Sequence, residues 1–348
     1  MEFDDALDYV RNPYVAEEIF QRQQRTLCIH LTDSCKSATP EKTREFYEYS
    51  KLLNLVTIAI LDEKESTISN EALSAFDLVF TSSNKKNVAA VKVPNVKEAV
   101  LGIKNSVEGN PHSSIMLVQL LRQRTYLNID TGLLFESMAY AALQGGPEFQ
   151  KWLSKRNATL GQDNAAPTVL SRRSGSELRI SLNRPDRANA FSSAMRDELV
   201  EQLRMAATDK SIDRVLLEGK GNSFCTGGDL NEFGLLDSTS DAHLIRMVNN
   251  PAFWMSKIHD RMSAHLKGKC MGAGIELPAF CNKVIADETV LISLPEIKMG
   301  LIPGAGGTVS IPRRIGPQRT AFLALSGQSI DSQTAFDWNL VNEIVPKL

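Results

Sequence analysis

Apolar positions along this chain change their spacing in stages, and each change predicts a different kind of element. Residues 1–40 are polar and weakly patterned, with one helix predicted over 15–24. A helix over about 41–53 leads into the β-branched run Leu55-Val-Thr-Ile-Ala-Ile-Leu61, which reads as a buried strand. Asp77-Leu-Val-Phe-Thr81 and Ala89-Ala-Val-Lys-Val93 are further short strands, and Val96, Ala99, Val100 and Ile103 carry helical spacing after Pro94. Residues 1–109 therefore read as a small α/β unit without a catalytic signature.

From 113 to 152 the period becomes helical. Ile115, Val118 and Leu121 share one face, and a second helix begins near Asp130 with Leu133, Leu134, Met138, Ala141 and Ala142 apolar. Gly145-Gly146-Pro147 ends it, and 148–156 forms a last short helix. The stretch 157–167, rich in Ala, Asn, Gly and Pro, reads as a linker. Beyond it strands and helices alternate. A hairpin is predicted from Thr168-Val-Leu-Ser to Leu178-Arg-Ile-Ser-Leu182, a helix within 187–207, a strand at Val215-Leu-Leu-Glu218, a long helix over 241–262, and strands at 284–286 and 290–293. The alternation predicts an α/β fold, divided at 1–109, 110–160 and 168–348.

Composition narrows the classes. The chain has 348 residues, is 43% hydrophobic and carries a net charge of -2, with no block of lysine or arginine. Neither nucleic acid nor an anionic membrane surface is expected as a partner. The five cysteines (Cys28, Cys35, Cys225, Cys270, Cys281) show no CxxC pairing, which suits a reducing compartment. The opening Met-Glu-Phe-Asp-Asp lacks the apolar run of a signal peptide. The longest apolar stretch, 52–61 interrupted by Asn54, falls short of the roughly 20 residues that span a bilayer. The expectation is a soluble, cytoplasmic protein.

Candidate chemistry is concentrated in three glycine-rich turns: Cys225-Thr-Gly-Gly-Asp229, Met271-Gly-Ala-Gly-Ile-Glu276 and Gly300-Leu-Ile-Pro-Gly-Ala-Gly-Gly307. Such turns free N–H groups to face an oxyanion, and Glu276 and Glu296 beside them are suited to moving protons. The last turn lacks the Gly-Lys-Ser/Thr ending of a phosphate loop and the spacing of a dinucleotide loop. Cys225 and Cys270 have no base spaced to activate them. His30, His112, His243, His259 and His265 lack ligand spacing, so no metal is expected.

Seven segments in order resemble the enoyl-CoA hydratase/isomerase (crotonase) superfamily. They are Leu182-Asn-Arg-Pro-Asp186 with Asn189-Ala-Phe191, Phe224-Cys-Thr-Gly-Gly-Asp-Leu230, Gly272-Ala-Gly-Ile-Glu-Leu277, Pro295-Glu-Ile297, Gly300-Leu-Ile-Pro-Gly-Ala-Gly-Gly-Thr308, Pro312-Arg-Arg-Ile-Gly316 and Leu340-Val-Asn-Glu-Ile-Val345. The resemblance implies a crotonase-like ββα spiral core and an acyl-CoA thioester substrate, with no cofactor besides that coenzyme A. It implies an oxyanion hole from the N–H groups of Gly228 and Ala273. Glu276 is implied to orient or deprotonate a water, and Glu296 to deliver a proton to Cα, in a hydratase or, run backwards, a dehydratase. A helix running on from Ala273 through Leu277 would add its dipole, although Pro278 is tolerated only in a first turn. Ala188, Ala190, Thr226, Gly227, Asp229, Leu230, Gly272 and Gly304 fall where relatives line the substrate channel, and Arg184 and Arg187 within reach of phosphates. A homo-oligomer, trimer or hexamer, is implied as well.

The chain ends at Leu348, where relatives continue into helices that cover the acyl pocket. Similar features precede the core instead: Asn110-Pro111, Gln119-Leu-Leu-Arg122, Gly132-Leu-Leu-Phe-Glu136 and Phe149-Gln-Lys-Trp-Leu-Ser-Lys-Arg156. Residues 110–157 are thus expected to stand in for the missing lid, with Lys155 or Arg156 near coenzyme A phosphates; the alternative is an unrelated helical domain. Two other functions stay open. One is a different crotonase-type reaction (isomerase, thioester hydrolase or decarboxylase) on an acyl-CoA or carrier-protein thioester in a biosynthetic pathway. The other is a non-catalytic partner subunit.

Overall fold

The computed structural model describes residues 1–31, 38–61, 68–83, 89–123, 127–156, 166–236 and 238–347. Cys35 and most of the expected linker, 157–165, lie outside the described residues.

The N-terminal unit is a parallel sheet of β1 (Thr26–Leu31), β2 (Val56–Leu61), β3 (Leu78–Thr81) and β4 (Val91–Lys92), in that order. Three elements among the described residues here were not expected from the sequence: strand β1, a first helix, Phe3–Arg11, and the short helix Asn70–Leu73. Phe3, Ala6, Leu7 and Val10 bury one stripe of that helix at helical spacing, so the pattern was present beneath a polar composition. The helix Pro40–Ser50 starts where Thr39 accepts the Lys42 N–H and proline occupies the first turn.

The two faces of this sheet have different fates. Leu27, Ile29, Leu31, Ala59 and Val79 join Phe3, Phe46 and Phe76 in a local core. Val56, Ile58, Leu78, Phe80 and Val91 instead belong to the core that runs through the rest of the molecule. Phe80 meets Phe322 edge-on at 6.0 Å. A buried ion pair reinforces the junction: Arg122 donates to Asp77 through Nε (2.8 Å) and Nη2 (2.6 Å). The same guanidinium caps the Ser50, Lys51, Leu53 and Leu55 carbonyls.

Helices Pro111–Gln123, Ile129–Gln144 and Pro147–Ser154 lie between this unit and the C-terminal core. In the core, β5 (Val169–Ser174) and β6 (Glu177–Leu182) form the expected hairpin. The sheet continues in parallel through β7 (Arg214–Gly219), β8 (Met262–Leu266), β10 (Lys283–Asp287) and β13 (Glu343–Val345). A small second sheet is built from β9 (Lys269–Met271), β11 (Leu291–Ser293) and β12 (Ile330–Asp331). The chain spirals by passing from a strand of the large sheet to one of the small sheet and then to a helical turn.

The long helix expected over 241–262 is broken. Thr239–Val248 and Pro251–Lys257 are separate helices, and Met262 already begins β8. Asn249-Asn250-Pro251 causes the break, since the Asn250 side chain accepts the Phe253 N–H and proline sets the next first turn. Among the described residues no helix is long and apolar enough to cross a membrane.

Candidate active site

The two sheets bring the first and second glycine turns together. The backbone at Cys225 pairs in parallel with that at Cys270, both thiols being free, and the Cys225 carbonyl accepts the Met271 N–H at 3.0 Å. A Cβ on Gly274 would overlap the Cys225 carbonyl, so this approach of two backbones requires glycine there. Among the described residues, the N–H groups of Gly228 and Ala273 donate to no protein acceptor, and both residues line one cavity of about 450 Å³. The helix that begins at Ala273 ends at Glu276 after four residues, and Pro278 opens its own turn over Pro278–Phe280. The expected helix from Ala273 through Leu277 is thus this single turn with Leu277 as its cap, and one turn contributes little dipole.

Glu276 and Glu296 reach the same cavity. Oε2 of Glu276 accepts the N–H groups of Ala305 (2.7 Å) and Gly307 (2.9 Å). Glu296 is 8% exposed, and its Oε2 is buried without a hydrogen-bond partner. Gly272, at φ +50°, abuts this carboxylate so closely that any Cβ would strike Oε1. Burial pushes Glu296 up to about 8, with the Glu136 charge adding to it. Burial, then Glu296 and Glu136, hold Glu276 well above the usual carboxylate range, opposed by the two turn N–H groups.

Of the residues expected along the substrate channel, Thr226, Gly227, Leu230 and Gly304 line this cavity. Ala188, Ala190, Asp229 and Gly272 are not among its lining residues. Ala188 takes a left-handed conformation and offers its carbonyl to the Thr226 hydroxyl at 3.2 Å. Asp229 accepts from Arg184 Nη2 at 2.9 Å and from the Asn231 N–H at 3.0 Å. Arg184 is therefore a buried structural cation, which corrects its expected availability to phosphates. Arg156 is occupied with the Leu230 and Phe233 carbonyls, and Arg187 is exposed. Burial pushes the Cys225 thiol up to about 12, so it is no nucleophile. Among the described residues no cluster of three metal-ligating side chains occurs.

Several cavity residues carried no role in the sequence. Tyr140 and Gln144 enter from the Ile129–Gln144 helix, Arg246 from the last turn of Thr239–Val248, and Asn249 and Asn250 from the break after it. Arg246 lies 4.5 Å over the Tyr140 ring and donates to Ser137 and Gln144. Beneath the third turn lies Glu136, 2% exposed, accepting from the Gly306 N–H, the Thr308 N–H and the Thr308 hydroxyl. The signal for these residues was helical spacing: Glu136, Tyr140 and Gln144 recur every four positions.

Residues 172–348 match the family model described as enoyl-CoA hydratase/isomerase. The chain belongs to this family. It is 36% identical over 171 residues to the 2,3-dehydroadipyl-CoA hydratase of Escherichia coli, covering 49% of this chain and 66% of that protein. It is 31% identical over 168 residues to the mevalonyl-coenzyme A hydratase of Aspergillus fumigatus, covering 48% and 62%. The chain thus spans less than two thirds of the length of these curated relatives. A solved enoyl-CoA hydratase from Thermoplasma volcanium is 32% identical, with 52% of this chain and 72% of that chain covered and a TM-score of 0.48. The C-terminal core is the crotonase-type ββα spiral of the enoyl-CoA hydratase/isomerase family, joined to an N-terminal α/β unit and three helices.

Proposed function

We propose that this family member is an acyl-CoA hydratase or dehydratase, interconverting a 2-enoyl and a 3-hydroxyacyl thioester. The observation that carries this reading is two buried carboxylates in one cavity with two unengaged backbone N–H groups. The thioester carbonyl accepts from Gly228 and Ala273, whose fixed N–H groups stabilise the enolate oxygen; losing one such donor costs about 3–4 kcal/mol. Burial and the neighbouring carboxylates raise Glu276, but the two N–H groups given to its Oε2 oppose that rise and have no counterpart at Glu296 Oε2, so we assign Glu276 as the member that takes a proton from water as its oxygen bonds Cβ. Glu296, whose Oε2 no protein donor reaches, carries the pair's proton and gives it to Cα. Hydration adds one water, and the reverse course releases it. No cofactor beyond the coenzyme A of the substrate takes part.

Leu230, Phe233, Leu236, Ile245 and Met299 line the cavity together with Arg246, Asn249, Asn250 and Gln144, so it offers the acyl group an apolar wall as well as polar side chains. Loss of enoyl-thioester absorbance tests the reaction, with crotonyl-CoA and with polar-ended analogues. Glu276→Gln and Glu296→Gln should each lower kcat by about 10²-fold or more. Wild-type rates in either variant would sink the two-carboxylate mechanism.

A further inference from the structure

Four consecutive N–H groups line the end of the third glycine turn, and two carboxylates divide them alternately. Glu276 takes those of Ala305 and Gly307; Glu136 takes those of Gly306 (2.7 Å) and Thr308 (2.9 Å), together with the Thr308 hydroxyl (2.7 Å). The first carboxylate belongs to the spiral core, the second to the Ile129–Gln144 helix that precedes it. A turn gripped from one side only can rotate its peptide planes, whereas a grip from both sides leaves one arrangement.

We propose that Glu136 is a positioning residue for Glu276, holding the 305–308 turn in the conformation from which it donates twice to Glu276. Glu136 is not among the cavity-lining residues, so it acts through the turn and not on a ligand. The inference rests on the reading of Glu276 as the group that moves the proton. Both Glu136 oxygens accept, so a glutamine would offer one acceptor and turn its NH2 against an N–H donor. The charged and titratable groups around it are Arg246 on the Thr239–Val248 helix, Tyr140 one turn along its own helix, and Glu276 and Glu296. Burial raises Glu136 to about 7, against the Thr308 and Gly306 donors and the Arg246 charge. The grip is therefore whole above that pH and slackens as protonation removes an acceptor below it.

The test compares wild type with Glu136→Gln, Thr308→Val and Thr308→Ser, each checked for folding by circular dichroism. The first readout needs no turnover: the Glu276 carboxyl is titrated by infrared difference spectroscopy, assigned with Glu276→Gln. Loss of the Glu136 charge by itself moves Glu276 in Glu136→Gln, so the positioning role is read from Thr308→Val, which keeps that charge: the titration should move there and return in Thr308→Ser. With an enoyl thioester, kcat in Glu136→Gln should fall by about 10²-fold with KM changed little, since small misplacements are costly. The acid limb of the pH profile should shift too. An unmoved Glu276 titration in a folded Thr308→Val overturns the proposal, and so does a folded Glu136→Gln with wild-type kcat and pH profile. If the titration moves but no thioester turns over even in wild type, the hydratase reading fails while the positioning role stands.

Discussion

Among the described residues, no donor reaches Glu296 Oε2 inside the cavity, an arrangement that burial makes costly. Three buried carboxyls share the region: Glu136 is pushed up to about 7, Glu296 to about 8, and Glu276 well above the ordinary value of 4.5. Between 4.5 and about 8 the folded chain therefore holds protons that the unfolded chain has released. Their contribution to stability is full at low pH, below the unfolded value, and is lost as pH climbs through the folded values. The thermal midpoint should fall between about pH 5 and about pH 8, and Glu296→Gln should flatten that fall. A midpoint that rises over this range would contradict protons held by these buried carboxyls. On the proposed mechanism, in which Glu296 gives its proton to Cα, the hydration rate should decline above about pH 8. At this scale the sequence showed Glu276 and Glu296 by their place among glycines. Glu136 stood in a quoted segment without a role, because its partners are 170 and 172 positions away.

Among the elements, the Pro111–Gln123 helix has the most consequential single contact. Arg122 and Asp77 have side chains only 6% and 5% exposed and join segments 45 positions apart. Removing one partner of a buried pair leaves an uncompensated charge and typically costs about 3–5 kcal/mol. Arg122→Met should lower the urea midpoint accordingly, and Arg122→Met with Asp77→Val should recover part of the loss; a change within experimental error would show the pair to be dispensable. Element boundaries were legible where side-chain chemistry punctuates the chain, as at Thr39-Pro40 and Gly145-Gly146-Pro147. The predicted 241–262 helix overran Asn249-Asn250-Pro251, where apolar residues on both sides concealed a capping residue and proline. The Phe3–Arg11 helix was overlooked for the opposite reason: three aspartates lie between its buried positions.

In the whole molecule, the N-terminal unit is no separate bead. One face of its sheet shares a core with the helices and the spiral, through Phe80 on Phe322 and the Gln318 side chain on the Phe76 carbonyl. A chain beginning at residue 110 would expose Leu117, Val118, Leu121 and Phe322 to water. It should aggregate on size-exclusion chromatography and bind a hydrophobic dye; a monodisperse, cooperatively folding product would show that the spiral needs no such cover. The sequence by itself determined the α/β class, the family-like order of glycine turns, and the two carboxylates beside them. Those follow from local rules, since period, proline and glycine act over a few residues. Only the tertiary structure decided that Arg184 is spent on Asp229 and that Arg246 and Tyr140 line the cavity. It alone placed a carboxylate from a preceding helix under the third turn. Burial and hydrogen-bond pairing are set by residues far apart in the chain, and no local spacing encodes which distant N–H group a carboxylate will meet.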